Sequence, residues 1–240
     1  MINKIQGIIV SETAYGDTSK IINIFTKEHG LVGVMCKGAK SMKSKLRAVT
    51  AKFIFGDFHM YYKPGKLSTL ISVDVINSFD NLKSDITLMG YLNYIGELVT
   101  QVFKQSGDME IYDLFIKTLE KVNDGMNPEV MTSILEIKLL DYLGVGLNLD
   151  GCSKCGNKNI VTIDADIGGY ICKNCLGTQK IVDDKTIKML RMYYYVEIDS
   201  ITSIDIKDNI SREISYFLDK YYERYTGIYT NSKDFLKKVR

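Results

Sequence analysis

The sequence predicts an α+β protein: a small five-stranded β-domain, then a helical domain carrying a cysteine-rich insertion. Three observations predict it. Short β-rich runs separated by turn residues fill the first 80 residues. Apolar residues then recur at helical spacing, and four of the five cysteines fall within 24 residues of one another. Over 240 residues this allows one large domain or two modest ones with real cores.

The β-rich runs come first. Residues 4–10 form one, and residues 20–25 and 31–35 form two more around the turn Thr26-Lys27-Glu28-His29-Gly30, the pattern of a hairpin. Residues 53–62 make a longer run rich in aromatics. Pro64-Gly65 breaks it, and residues 67–75 supply the fifth strand. Five short strands in this order predict an OB-fold, the small barrel that binds oligonucleotides. Gly56 inside the fourth run marks a bulge. Which of Phe53, Phe55, Phe58, Tyr61 and Tyr62 face outward stays open, because a bulge shifts the alternation.

The character changes near residues 79–85. Leu88, Tyr91, Leu92, Ile95, Val99, Val102 and Phe103 then recur with helical period. A second helix is expected over 109–122. A third starts at Asn127-Pro128, with Asn as N-cap and Pro at the first helical position, and ends at Leu143-Gly144. One stripe of it carries Val130, Ile134, Ile137 and Asp141, with Met131, Leu135 and Tyr142 beside it. Further helices are expected at about 183–195, 209–225 and 232–238. The boundaries drawn are 1–80 for the barrel, 81–240 for the helical domain and 150–180 for the insertion.

The insertion reads Cys152-x2-Cys155-x16-Cys172-x2-Cys175. Two such knuckles present four thiolates to one tetrahedral ion, so the spacing predicts Zn2+. Four protein ligands leave no position for water, which makes the site structural. A metal-free site, a redox dithiol and an iron–sulfur cluster are the weaker alternatives. A zinc deaminase is disfavoured, because the only histidines are His29 and His59 and no H-x-E precedes the cysteines. Cys36, alone at the end of an apolar strand, is expected to be a buried small hydrophobe.

Charge is distributed unevenly. Residues 1–80 carry 11 Lys+Arg against 6 Asp+Glu, a net of +5; the remaining 160 carry 20 against 23, a net of −3. Within the positive third, residues 37–47 hold Lys37, Lys40, Lys43, Lys45 and Arg47, and no acid. Gly, Ala and Ser keep this loop slim, so a phosphate backbone can approach; a merely solvated loop is the plainer alternative. Contacts of that kind carry no base information.

No apolar run approaches the length of a membrane helix, and residues 1–10 lack the pattern of a secretory signal. The expectation is a soluble intracellular, cytoplasmic protein. No Gly-rich phosphate loop and no GxSxG motif is present, so no active site is predicted. A nuclease would have to use Asp164 and Asp166, which are more simply solvent-facing acids of the insertion.

Several stretches taken together resemble the RecO family of bacterial DNA repair proteins. They are Gly7-Ile8-Ile9-Val10 through Tyr15-Gly16-Asp17, Phe25 through Leu31, Lys37-Gly38-Ala39-Lys40, Leu139 through Gly144 leading to Leu149-Asp150-Gly151-Cys152, Gly168 through Cys172, and Ser232 through Leu236. The resemblance runs in order over nearly the whole chain. It implies a non-catalytic, nucleoid-associated recombination mediator that binds single- and double-stranded DNA. It further implies strand annealing, help in loading the RecA recombinase onto SSB-coated strands together with RecR, and recognition of the C-terminal tail of SSB. The family's basic loop carries over to Lys37 and Lys40, and more loosely to Lys43, Lys45 and Arg47. A zinc-containing regulator that reads duplex sequence is the alternative, though no helix here is rich in Arg and Asn.

Overall fold

The computed structural model describes residues 1–239, which divide into two compact units. One comprises Met1–Asp85 with Met109–Asp113; the other comprises Ile86–Asp108 and Leu114 onward.

The first unit is a closed, OB-like barrel in the order β1-β2-β3-β5-β4. Its strands are β1 (Asn3–Tyr15), β2 (Ser19–Thr26), β3 (Gly30–Cys36), β4 (Phe55–Tyr61) and β5 (Ser68–Asn77). Alternation fills the interior with Ile22 and Ile24 of β2, Val32 and Val34 of β3, Phe58 and Met60 of β4, and Leu70 of β5, all buried. Cys36 is fully buried there, and burial pushes its thiol up to about 12, as expected of an inert core residue.

Two features of the barrel escape the sequence pattern. β1 does not stop at Val10: after a register shift between Ile9 and Ser11 it continues as Ser11–Tyr15 against β2. This extension is polar and exposed, so it has no hydrophobic alternation to announce it. Between β3 and β4 lies a four-residue helix, α1 (Leu46–Val49), which places Arg47 on a helix rather than in an open loop. Gly56 does sit at a register shift between β4 and β5, and a Cβ there would lie 2.4 Å from the Asp74 carbonyl oxygen.

The second unit is helical: α2 (Ile86–Ser106), α3 (Glu110–Asn123, whose first residues belong to the barrel unit), α4 (Pro128–Tyr142), α5 (Asp184–Tyr195), α6 (Asp208–Tyr225) and α7 (Asn231–Val239). α4 opens as its sequence predicts: the Asn127 side chain accepts from the backbone N–H groups of Glu129 (2.9 Å) and Val130 (3.2 Å). It is not a one-sided amphipathic helix, however. Ten of its residues are buried, Thr132, Ser133 and Glu136 among them, because α2, α5 and α6 surround it.

Glu136 is the charged residue at the centre of this unit. Its carboxylate meets the Tyr94 hydroxyl and, at 2.8 Å, the Lys233 ammonium of α7. Lys233 also pairs with Asp219 of α6 at 2.5 Å. Burial works against the Lys233 charge, but the two carboxylates more than offset it and hold the group protonated well above its usual range. α7 is further fixed by Glu97 of α2, which accepts from the backbone N–H of Ser232 (3.0 Å), and by Leu236 seated over Gly90. No described helix is long and apolar enough to cross a membrane.

Candidate metal centre and nucleic-acid interface

The insertion forms a two-stranded hairpin, β6 (Ile160–Asp164) and β7 (Gly169–Cys172), with one cysteine knuckle before it and one at its end. The first knuckle turns at Gly156, whose φ of +74° suits a residue without Cβ, and closes with Gly156 N–H on the Cys152 carbonyl at 2.8 Å. Gly151 is required for a different reason: a Cβ there would come within 2.6 Å of the Gly156 carbonyl oxygen. The second knuckle is the end of β7 and a 3-10 turn over Lys173–Cys175. Ser153 N–H donates to the Tyr170 carbonyl at 2.7 Å and ties the two together.

The four cysteine sulfurs lie within 4.8 Å of one another, and Cys155 Sγ is 3.6 Å from Cys172 Sγ. Sulfurs at about 2.3 Å from a tetrahedral zinc are roughly 3.8 Å apart. The donor set and its spacing therefore fit a metal ion, and none of the cysteines is in a disulfide. Their electrostatics point the same way. Burial opposes ionisation of Cys152, but N–H donors of Cys172, Lys154 and Cys155 outweigh it and bring its thiol down to about 6. Cys175, hydrogen-bonded by the Cys155 thiol and crowded by the others, is pushed up to about 12. Four thiols this close cannot all ionise without a cation between them. Among the described residues this is the one cluster of three or more His, Cys, Asp or Glu able to hold a metal. Asp164 and Asp166 are used locally: Asp164 accepts from Gln179 (2.7 Å) and from the backbone of Asp166 (2.8 Å), and Asp166 pairs with Arg224 (2.8 Å).

In the barrel, the chain leaves β3 at Cys36 and folds through consecutive tight turns. Ala39 is 1 % exposed and anchors them on the core, while Lys37, Lys40, Lys43, Lys45 and Arg47 are all exposed. The segment is fastened to the β1–β2 turn: Lys40 N–H donates to the Thr18 carbonyl at 2.7 Å, Gly38 N–H to Ser19 Oγ at 3.2 Å, and Lys40 Nζ to the Gly16 carbonyl at 3.3 Å. Arg47 Nη1 contacts the Met42 sulfur. Among the described residues none of the five cations pairs with a carboxylate. By contrast Lys4, Lys20 and Lys27, elsewhere on the barrel unit, are paired with Asp57, Glu12 and Asp113. The loop thus concentrates uncompensated positive charge at one rim of the barrel.

The aromatics left open by the sequence now separate. Phe53, Phe55 and Phe58 are buried, Tyr62 is half-buried and stacked on His29, and Tyr61 is exposed. Tyr15, at the end of the unforeseen part of β1, is also exposed.

Comparison with known proteins agrees with this arrangement. The domain family described as Recombination protein O N terminal matches residues 1–79, and that described as Recombination protein O C terminal matches residues 83–234. The DNA repair protein RecO of Bacillus subtilis (strain 168) is 31% identical over 244 residues, covering 100% of this chain and 95% of that protein. The chain belongs to the RecO family. DNA repair protein RecO of Bacillus velezensis is 32% identical with the same coverage, and that of Listeria monocytogenes serotype 4b (strain F2365) is 31% identical over 98% of this chain and 94% of the relative. Membership makes this a DNA repair protein. The RecO resemblance read from scattered motifs therefore holds over the full length, and the expected OB-like barrel, helices and four-cysteine cluster are all present.

Proposed function

We propose that this chain is a non-catalytic recombination mediator whose barrel, over residues 1–80, grips DNA through Lys37, Lys40, Lys43, Lys45 and Arg47. One observation carries the reading: five exposed cations, none paired with a carboxylate among the described residues, on the turns and short helix that follow β3 and are fastened to the barrel rim. Such a segment attracts polyphosphate of any sequence, so it serves single and double strands alike. Two strands held by their backbones keep their bases free to pair, which supports annealing. In the same reading the protein acts in the cytoplasm at the nucleoid, works with RecR and the SSB C-terminal tail, and assists RecA loading onto SSB-coated strands.

The helical domain, residues 81–240, serves in this reading as the platform for protein partners, with the 150–180 insertion as a rigid element. The cysteine cluster would hold one Zn2+, which cross-links the two knuckles and takes no part in DNA chemistry. Family membership disfavours a sequence-reading regulator.

The test is annealing of complementary oligonucleotides coated with SSB, with and without the purified protein, in magnesium buffer. Accelerated annealing with intact strands supports the mediator. Strand cleavage, or no acceleration, contradicts it.

A further inference from the structure

The outside of the barrel carries a row of uncharged residues that the basic loop does not explain. Residues directly opposite one another in a ladder share a face. The registers Thr13↔Ile21, Ile21↔Met35, Met35↔Thr69 and Thr69↔Tyr61 therefore place one residue from each of the five strands in a single line. The line faces outward. Its neighbours Ile22, Val34, Leu70 and Met60 point into the core, whereas Ile21, Met35 and Thr69 are half-exposed and Thr13 is exposed. Two residues along β1 from Thr13, on the same face, is Tyr15, opposite Ser19.

Tyrosines thus stand at both ends of this strip, and both are open: Tyr15 is 57% exposed and Tyr61 49%. The strip crosses four strand spacings, roughly 19 Å of curved surface. At the Tyr15 end it meets the β1–β2 turn, to which Lys40 is fastened through Gly16 and Thr18. An exposed aromatic ring, half-exposed Ile and Met side chains and no charge make a poor surface for phosphate and a good one for the faces of bases.

We propose that Tyr15 and Tyr61 are stacking platforms for unpaired bases, with the strand's phosphates led in over the basic loop. This rests on the DNA-binding reading and deepens it. It divides the barrel's work: the loop holds any backbone, and the tyrosine strip adds affinity that only a strand with free bases can collect. A duplex keeps its bases stacked on one another and reaches the loop alone.

The test is equilibrium binding by fluorescence anisotropy at several salt concentrations. The protein variants are Tyr15→Ala, Tyr61→Ala, their double, and Tyr15→Phe/Tyr61→Phe. The probes are an oligothymidylate, an abasic strand of equal length and a duplex. The double alanine variant should bind oligothymidylate at least about tenfold more weakly, from a stacking contribution of ~1–3 kcal/mol per base. Its salt dependence should be unchanged, and abasic strand and duplex should bind as tightly as before. The double phenylalanine variant should bind like the unaltered protein. Unchanged affinity for oligothymidylate, or an equal loss on the abasic strand, overturns the stacking proposal. Weakening by Lys37→Ala/Lys40→Ala without any effect of the tyrosines would sink the stacking alone. No effect of the lysines on any probe would sink the DNA-binding reading itself.

Discussion

Cys155 Sγ and Cys172 Sγ, one from each knuckle of the insertion, stand 3.6 Å apart without a bond between them. That separation fits two ligands of one ion. Purified protein should contain about one zinc per chain. Cys152→Ser should lower the zinc content and loosen the β6–β7 hairpin while leaving the barrel folded. Metal analysis and hydrogen exchange over 148–180 check this, and full protection of that segment without metal would contradict it.

The same site should release its ion on acidification. The Cys152 thiol is held at about 6, below its ordinary value, so its stabilising contribution is complete above the unfolded value near 9. That contribution is lost as pH falls through 6, and proton competition for the other thiolates adds to the effect. A chromophoric zinc indicator titrated downward from pH 9 should show release centred at or below pH 6. Release centred above pH 7, or an ion retained unchanged down to pH 4, would contradict it.

Lys233 is a buried cation between two carboxylates, 2.8 Å from Glu136 and 2.5 Å from Asp219. Replacing it with Met leaves the buried Glu136 without a cation, while Asp219 keeps Lys237 at 2.9 Å, and unfolding stability should fall by about 3–5 kcal/mol. Lys233→Met/Glu136→Gln should recover part of that loss, because the stranded charge is gone. Denaturant titration of the three proteins measures it. Equal stabilities for Lys233→Met and the unaltered chain would mean that the network does not hold α7.

Two glycines of the barrel should respond oppositely to alanine. At Gly56 the added methyl would lie 2.4 Å from the Asp74 carbonyl oxygen, a backbone atom that cannot step aside. The expected cost is about 1–3 kcal/mol. At Gly33 the nearest atom is Leu67 Cδ1 at 3.4 Å, an ordinary contact, so Gly33→Ala should be tolerated. Thermal unfolding of both variants decides the matter.

What the sequence revealed, and what it hid, follows from where burial alternates. The five barrel strands, the Asn127 cap and the four cysteines each carry a local pattern, and all three were legible. The Ser11–Tyr15 extension of β1 was not, because it is polar and exposed and exists only to pair with β2. The all-round burial of α4 was not either: helical spacing gives no sign that Thr132, Ser133 and Glu136 are buried as well, among α2, α5 and α6. Nor could the outward aromatics be chosen, since the Gly56 bulge breaks the alternation by which Phe55 and Tyr61 would have been compared. The basic loop was legible as charge, but its fastening to Gly16 and Thr18 depends on a barrel closing around residues far apart in the chain.

The most direct measurement is the salt dependence of single-strand binding by Lys37→Ala/Lys40→Ala/Arg47→Ala. Three lost phosphate contacts should make the slope of log affinity against log salt shallower by roughly 2. A slope identical to that of the unaltered protein would show that this rim does not touch the phosphates.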